Sequence, residues 1–277
     1  MKRIGFIGAG KVGHVLGGYL ARHGFTLQGY ASRTLLSAKK AASAWNTRSY
    51  CDKKELVKDC DWLFLTVPDD KISSVYLEIA PFLTSGHVVF HCSGALTCEI
   101  FTPKITGVLY YSFHPMLAIG NTQSFQSLSQ AAFTLEGLDV ANILPELSCL
   151  KNPIHTLASK EKVRYHAGCV FLSNLVIALA QTGTTLLKDC GLPESFVFGA
   201  SHTLLQQNIN QLASVGATKA LTGPIERNDV QTVTRHLEVL NDQQSLLYCL
   251  LSRELLTLAQ IKHPETDYST MERILYS

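Results

Sequence analysis

Arg3-Ile4-Gly5-Phe6-Ile7-Gly8-Ala9-Gly10-Lys11-Val12-Gly13 is the stretch on which the fold turns. Its first five residues form a short apolar run suited to a buried strand, and three glycines spaced Gly-x-Gly-x-x-Gly follow at once. Val12, Leu16, Tyr19 and Leu20 then recur at helical spacing up to Gly24. Strand, glycine turn and helix, in that order, open a dinucleotide-binding βαβ fold. Each glycine has a physical task. Gly8 permits a tight turn, Gly10 lets backbone approach a pyrophosphate, and Gly13 lets the helix pack closely on the strand. Lys11 and Val12 begin the helix, where free N–H groups and the positive end of the dipole suit phosphate.

Working outward, apolar runs at 25–30, 62–67, 87–91, 107–113 and 132–135 predict further strands, with a weaker one at 154–157. Helical patterns at 35–45 and 55–60 lie between them. The run 62–67 is unbroken and stopped by Pro68, as expected of a strand covered on both faces. After about residue 159 strand signals vanish, and helical patterns cover 161–190, 195–214, 229–237 and 245–261. The reading is an α/β Rossmann-type doubly wound parallel sheet over 1–157, followed by a smaller all-α domain over 158–277.

Composition narrows the function. Of 277 residues, 46% are hydrophobic and 17% charged, which describes a globular protein. Lys and Arg number 24 against 22 Asp and Glu, with no basic stripe, so a nucleic-acid partner is not expected. The N-terminal stretch lacks the long apolar region of a signal peptide. Residues 169–187 are apolar but interrupted by Ser173, Asn174, Gln181 and Thr182, which favours a buried core helix over a membrane span. The eight cysteines make no Cys-x-x-Cys pair and the ten histidines show no ligand spacing, so no metal is expected. Reduced thiols in a cytoplasmic protein follow.

The end of the second strand reads Tyr30-Ala31-Ser32-Arg33-Thr34, with no carboxylate to bond the ribose hydroxyls of NAD. Ser32 and Thr34 offer hydroxyls, and Arg33 can pair with a 2′-phosphate, so the expected cofactor is NADP(H). Val67 and Pro68 follow a strand at the carboxyl edge of the sheet, where they are expected to touch cofactor. Ser93 and His114 close the next two strands, at the edge where nicotinamide and substrate would meet; a His-Pro turn is equally a structural device. In the helical half, His166, Val170, Ser173 and Asn174 stand at i, i+4, i+7 and i+8 and share one helix face. An Asn in such an apolar helix needs partners or costs about 1–3 kcal/mol. Residues 220–229 form a polar turn in which Asn228 or Asp229 is a natural N-cap, and Thr222 and Arg227 are candidates to face the crevice. Arg227 suits a substrate carboxylate.

Together, Gly-Ala-Gly-Lys-Val-Gly at 8–13, Ala-Ser-Arg at 31–33, Val-Pro-Asp at 67–69, His-Cys-Ser-Gly-Ala-Leu at 91–96, Phe-His-Pro at 113–115, Tyr-His-Ala-Gly at 165–168 with Ser-Asn at 173–174, and Leu-Thr-Gly-Pro-Ile-Glu-Arg-Asn-Asp at 221–229 resemble one family. It is that of Rossmann-like proteins with a helical C-terminal domain of unknown function, commonly labelled as candidate NADP oxidoreductases. More distantly the chain is similar to ketopantoate reductase, pyrroline-5-carboxylate reductase and the β-hydroxyacid dehydrogenases. The resemblance implies NADPH-dependent reduction of a carbonyl or imine, and a homodimer formed through the helical domain. Ketopantoate reductases and β-hydroxyacid dehydrogenases place a catalytic Lys on the first long helix of the second domain, with an Asn one or two turns on. Here the corresponding position is read as His166, with Asn174 two turns later.

The expected activity is therefore hydride transfer to or from a small carboxylate-bearing carbonyl, hydroxyl or imine compound. His166 is the general acid/base, because imidazole suits proton transfer near neutral pH. Asn174 and Ser93 hold the reacting oxygen or nitrogen. A non-catalytic NADP-binding sensor or interaction protein, and a flavin or deazaflavin reductase, share the same nucleotide loop and stand as alternatives.

Overall fold

In the computed structural model, which describes residues 1–120 and 125–276, the opening run is strand β1 (Arg3–Ile7) and the glycine turn leads into helix α1 (Lys11–Arg22). The pattern continues through β2 (Thr26–Ala31), α2 (Leu35–Ala44), β3 (Arg48–Tyr50), α3 (Lys53–Asp59), β4 (Trp62–Leu65) and α4 (Asp69–Ile79). Then come β5 (Val88–His91), β6 (Leu109–Pro115), α5 (Phe125–Leu128), β7 (Phe133–Gly137), α6 (Val140–Leu147), β8 (Ile154–Thr156) and α7 (Lys162–Phe171). The eight strands make one sheet in the order β3-β2-β1-β4-β5-β6-β7-β8. The order reverses beside β1, which opens a crevice at the carboxyl ends of β1 and β4.

The sheet departs from the expected all-parallel form at one place. β7 runs antiparallel to β6, with Phe113 opposite Leu135 and His114 opposite Thr134, whereas the remaining neighbours pair in parallel. Alternation of apolar residues records which face a side chain takes and is silent about strand direction.

Both faces are covered. On one, Val15 and Leu16 of α1, Ala38 of α2 and Ile143 of α6 pack with Phe6, Phe64 and Phe90. On the other, Leu56 of α3 and Ile72 and Tyr76 of α4 pack with Leu63, Leu65 and Val89. A row of aromatic rings crosses the first face. Phe6 stacks on Phe64 at 5.0 Å, Phe64 on Phe90 at 4.5 Å, and Phe113 on Phe133 at 4.6 Å, while Phe90 meets Phe113 edge-on at 6.4 Å. Phe6, Phe64 and Phe90 are also direct register partners along their strands. Each such pair adds about 0.5–1.5 kcal/mol beyond burial of its area.

The single helix read at 161–190 is two. Leu172 and Ser173 form a turn between α7 and α8 (Asn174–Asp189). Ser173 N–H bonds back to Val170 O at 3.2 Å, an i−3 bond, and Ser173 Oγ donates to Cys169 O at 2.7 Å and to Asn174 Oδ1 at 3.2 Å. A hydroxyl competing for its own helix's carbonyls bends or ends that helix. The compact units accordingly divide as Met1–Asn174 and Leu175–Ser277, later than the change of pattern at 157/158. The reason is that α7 is hydrogen-bonded into the sheet edge through its side chains.

The second unit consists of α8 together with α9 (Glu194–Val215), α10 (Ala217–Ala220), α11 (Val230–Val239), α12 (Asp242–Lys262) and α13 (Ser269–Tyr276). Its core is small: Leu221, Ile225, Val233, Leu256, Ala259, Tyr268, Met271 and Leu275. The expectation of a buried core helix at 169–187 is not met, since α8 has no buried residue. By length and composition the run Ser159–Asp189 is apolar enough to cross a bilayer, although the turn at Leu172–Ser173 interrupts it.

Candidate functional site

The glycine turn is built by size. Gly8 has φ +112°, and a Cβ there would lie 2.5 Å from Thr66 O. A Cβ on Gly13 would lie 2.3 Å from Gly8 O and 2.4 Å from Thr66 Oγ1. The turn is tied to its neighbours by Gly8 N–H, which donates to Ala31 O, and by Thr66 Oγ1, which donates to Gly8 O, both at 2.8 Å. Gly10 is different: a Cβ there would meet no atom within 4 Å. Gly10 is also the N-cap of α1, which has no side-chain cap bond and no acidic residue in its first turn. Bare helix N–H groups beside open space are what a pyrophosphate requires, so these residues fit a dinucleotide.

Lys11 is exposed and Val12 half-buried at the same helix start. At the end of β2, Ser32 is half-buried, and Arg33 is exposed with no ion pair among the described residues. Thr34 is occupied as the N-cap of α2, its Oγ1 accepting from Ser37 N–H at 3.3 Å. Val67 packs on the second core face, and Pro68 is the exposed N-cap of α4.

A second polar group lies where β5, β6, α4 and α7 converge. Ser93 Oγ donates to Asp69 Oδ2 at 2.6 Å and accepts from the N–H groups of Ala95 and Leu96 at 3.2 and 3.0 Å. Ser93 N–H donates to His91 Nδ1 at 3.2 Å. Ser93 O accepts twice, from Ser112 Oγ at 3.1 Å and from Lys162 Nζ at 2.9 Å, and Lys162 Nζ also donates to Ser112 Oγ at 2.6 Å. Lys162 is only 1% exposed. Burial lowers its amine to about 8, while the nearby Glu136 carboxylate acts in the opposite sense. Glu136 is itself buried, accepting from Cys98 N–H at 2.8 Å and Ser159 Oγ at 2.7 Å.

Next to this network stand two imidazoles. His114 Nδ1 and the Tyr165 hydroxyl are hydrogen-bonded at 2.6 Å, and the His114 and His166 rings lie 5.9 Å apart at 87°. Burial, then the charges of Lys162 and His166, lower His114 to about 4, so it is neutral at pH 7. Burial likewise pushes the Tyr165 phenol up, keeping it protonated. Gly94 packs between the rings: a Cβ on it would lie 2.3 Å from His166 Nδ1 and 3.0 Å from His114 Nε2. His166 Nδ1 is buried and has no hydrogen-bond partner among the described residues.

Comparison with known proteins bears on the fold. Residues 1–115 match the model of the Rossmann-like domain, and residues 132–255 match the domain of unknown function DUF2520. The two matches follow one another along the chain, each over less than half of it. Among solved structures, a candidate NADP oxidoreductase of Bacteroides fragilis is similar over 92% of this chain and 98% of its own, at 22% identity and TM-score 0.76. Protein TM1727 of Thermotoga maritima is similar over 94% and 99%, at 23% identity and TM-score 0.71. Pyrroline carboxylate reductase of Plasmodium falciparum, solved with NADP bound, is similar over 99% and 97%, at 13% identity and TM-score 0.58. No curated protein matches.

The structure brings Ser93, His114 and His166 together, although Ser93 spends its hydroxyl on Asp69 and its own turn. Asn174 is not on the His166 face. It lies beyond the Leu172–Ser173 turn, is exposed, and accepts from Ser173 Oγ. Thr222 and Arg227 are exposed residues of the second unit. The polar turn there is capped as the sequence suggested, with Asp229 accepting from Thr232 N–H at 3.1 Å and Thr232 Oγ1 at 2.8 Å. The sequence reading missed Asp69, His91, Lys162 and Tyr165. Lys162 and Tyr165 share the face of His166 by i, i+3 and i+4 spacing, which was the available signal.

Proposed function

We propose that the chain is an NADP(H)-dependent oxidoreductase acting on a small carbonyl, hydroxyl or imine compound. The observation that carries this reading is the open space at Gly10 over an uncapped helix start, on a sheet that also carries His114 in β6, with Tyr165 and His166 of α7 against it. The names of similar proteins point the same way. The bound nicotinamide would supply or accept the hydride. Gly8, Gly10, Lys11, Val12 and Gly13 would hold the pyrophosphate, with Ser32, Arg33 and Thr34 at the adenosine phosphate and Val67 and Pro68 along the cofactor.

In the reducing direction the substrate's carbon gains the hydride, the π electron pair moves to its oxygen or nitrogen, and that atom takes a proton. His166 is the proposed donor. His114 is held neutral at pH 7 by burial and is a poor acid there. The unpaired His166 Nδ1 has hydrogen-bonding capacity that the described residues leave unused. Arg227 and Thr222 are the proposed carboxylate contacts, and Asn174 a further substrate contact. His166→Gln keeps a donor but transfers no proton at neutral pH, so turnover should fall about 10²–10⁴-fold with NADPH affinity unchanged. Full turnover in this variant would refute the assignment. Normal NADPH binding with no oxidation by any carbonyl or imine compound would favour a sensor instead.

The protein is further proposed to act as a cytoplasmic homodimer. The carrying observation is apolar surface: Ile177 of α8 and Phe196, Phe198 and Leu204 of α9 are 58–77% exposed. A second copy of the same helices would cover them. A monomer at all concentrations in sedimentation would remove this part.

A further inference from the structure

We infer that Lys162 is the positioning residue of this site: from α7 it ties Ser93 to Ser112 and so fixes the turn on which the His114 and His166 rings rest. The inference goes beyond the reductase reading and does not depend on it.

The geometry is a closed triangle. Lys162 Nζ reaches Ser93 O and Ser112 Oγ, and Ser112 Oγ closes the third side onto Ser93 O. Ser93 begins the turn that contains Gly94, and Gly94 is the residue against which both imidazoles pack. Lys162 also lies one helical turn before His166, so the same side chain that anchors the turn sets the register of α7 against it. The turn after β5, strand β6 and helix α7 are therefore joined at a single amine.

Packing alone does not call for lysine here. An apolar chain of similar length would fill the space without removing a charge from water, and such replacements are often neutral or stabilising. What the amine adds is direction, through two hydrogen bonds, and charge. His114 meets Tyr165 and His166 of α7 directly, and His91 of β5 and Lys162 of α7 are coupled to it through charge; Asp69 of α4 and Glu136 of β7 belong to the same polar group through Ser93 and as the register partner of Ser112. Asp69 is engaged by Ser93 and Glu136 by Cys98 and Ser159. Lys162 is the cation among them, and it disfavours a second positive charge on His114.

The test is an NMR titration of the histidine rings in the full chain without nucleotide, comparing wild type, Lys162→Met and Lys162→Arg. Wild-type His114 should titrate near about 4. Met should move that midpoint upward and shift the His114 and His166 ring signals, whereas Arg should keep the midpoint low. A purely structural lysine would change the melting temperature and leave the midpoint alone. An unchanged midpoint in folded Lys162→Met, or an Arg variant that behaves like Met, would overturn the inference. Should the Met variant fail to fold, Ser112→Ala removes one of the two acceptors of Nζ and should displace both ring signals; unaltered signals would overturn it equally. A chain that bound no NADPH would sink the reductase reading while leaving this titration intact.

Discussion

Gly10→Val separates binding from folding more cleanly than any other change in the glycine turn. The backbone at Gly10 has φ −76° and ψ −174°, a conformation open to any L residue, and a Cβ there touches nothing within 4 Å. The folded chain thus accepts valine without strain. Two small terms oppose each other: reduced freedom of the unfolded chain, about 0.4–1 kcal/mol in favour, and the poorer N-cap, of similar size against. Stability should stay within about 1 kcal/mol, or about 2–4 °C in melting temperature. The isopropyl group, however, takes the space over the helix N–H groups where the pyrophosphate would lie. A loss of at least about hundredfold in NADPH affinity is expected, about 2.8 kcal/mol. Calorimetric titration with NADPH beside a thermal melt reads both quantities. Gly13→Ala is the contrast, because its Cβ would sit 2.3 Å from a backbone oxygen and should cost about 1–3 kcal/mol of stability. Wild-type affinity in Gly10→Val would refute the reasoning.

Three further outcomes are expected. Arg33→Ala should weaken NADPH binding by about 1.5–3 kcal/mol, the range for hydrogen bonds to charged groups, and NADH binding far less; equal losses by calorimetry would mean that Arg33 merely supports its loop. Glu136→Ala strands the buried Cys98 N–H and the Ser159 hydroxyl, so urea unfolding should show a loss of about 2–4 kcal/mol, and a loss below about 1 kcal/mol would contradict the described bonding. Burial lowers His91 and His114 from 6.5 to about 4, so between those values protons bind the unfolded chain and not the folded one. Their stabilisation is complete above pH 6.5 and declines as pH falls towards 4, by at most about 1.4 kcal/mol per pH unit for each; His91→Gln should flatten the decline measured by urea unfolding.

How far the sequence could be read follows from what each signal encodes. β1, the glycine turn and the unbroken run of β4 were legible because buried parallel strands and tight turns constrain composition strongly. β3, only Arg48–Tyr50, is too short to show a period, and α4 starts with Asp69, Asp70 and Lys71, which look like loop. The antiparallel β7 was hidden because alternation carries no direction. The break after α7 carries neither Gly nor Pro; it depends on where the Ser173 hydroxyl turns, which is a tertiary outcome. The site was half legible. Ser93, His114 and His166 announced themselves as polar residues in apolar settings, whereas Lys162 and Asp69 stand at helix starts, where charged residues ordinarily face water.

The row of rings across the sheet has a consequence for how such a protein can change its chemistry. Phe64 precedes Thr66 by two residues, Phe90 precedes His91 by one and Ser93 by three, and Phe113 stands directly before His114. In β4, β5 and β6 a ring of this row thus stands just upstream of the residues at the carboxyl edge, and dispersion between rings aligns the strands in addition to the hydrogen bonds among Ser93, Ser112 and Lys162. Substitutions beyond the rings can retune what the crevice accepts while the row stays fixed. A slip of one residue at a ring would instead turn it to the opposite face and misplace the whole edge at once. Novelty is cheap on one side of that row and ruinous on the other.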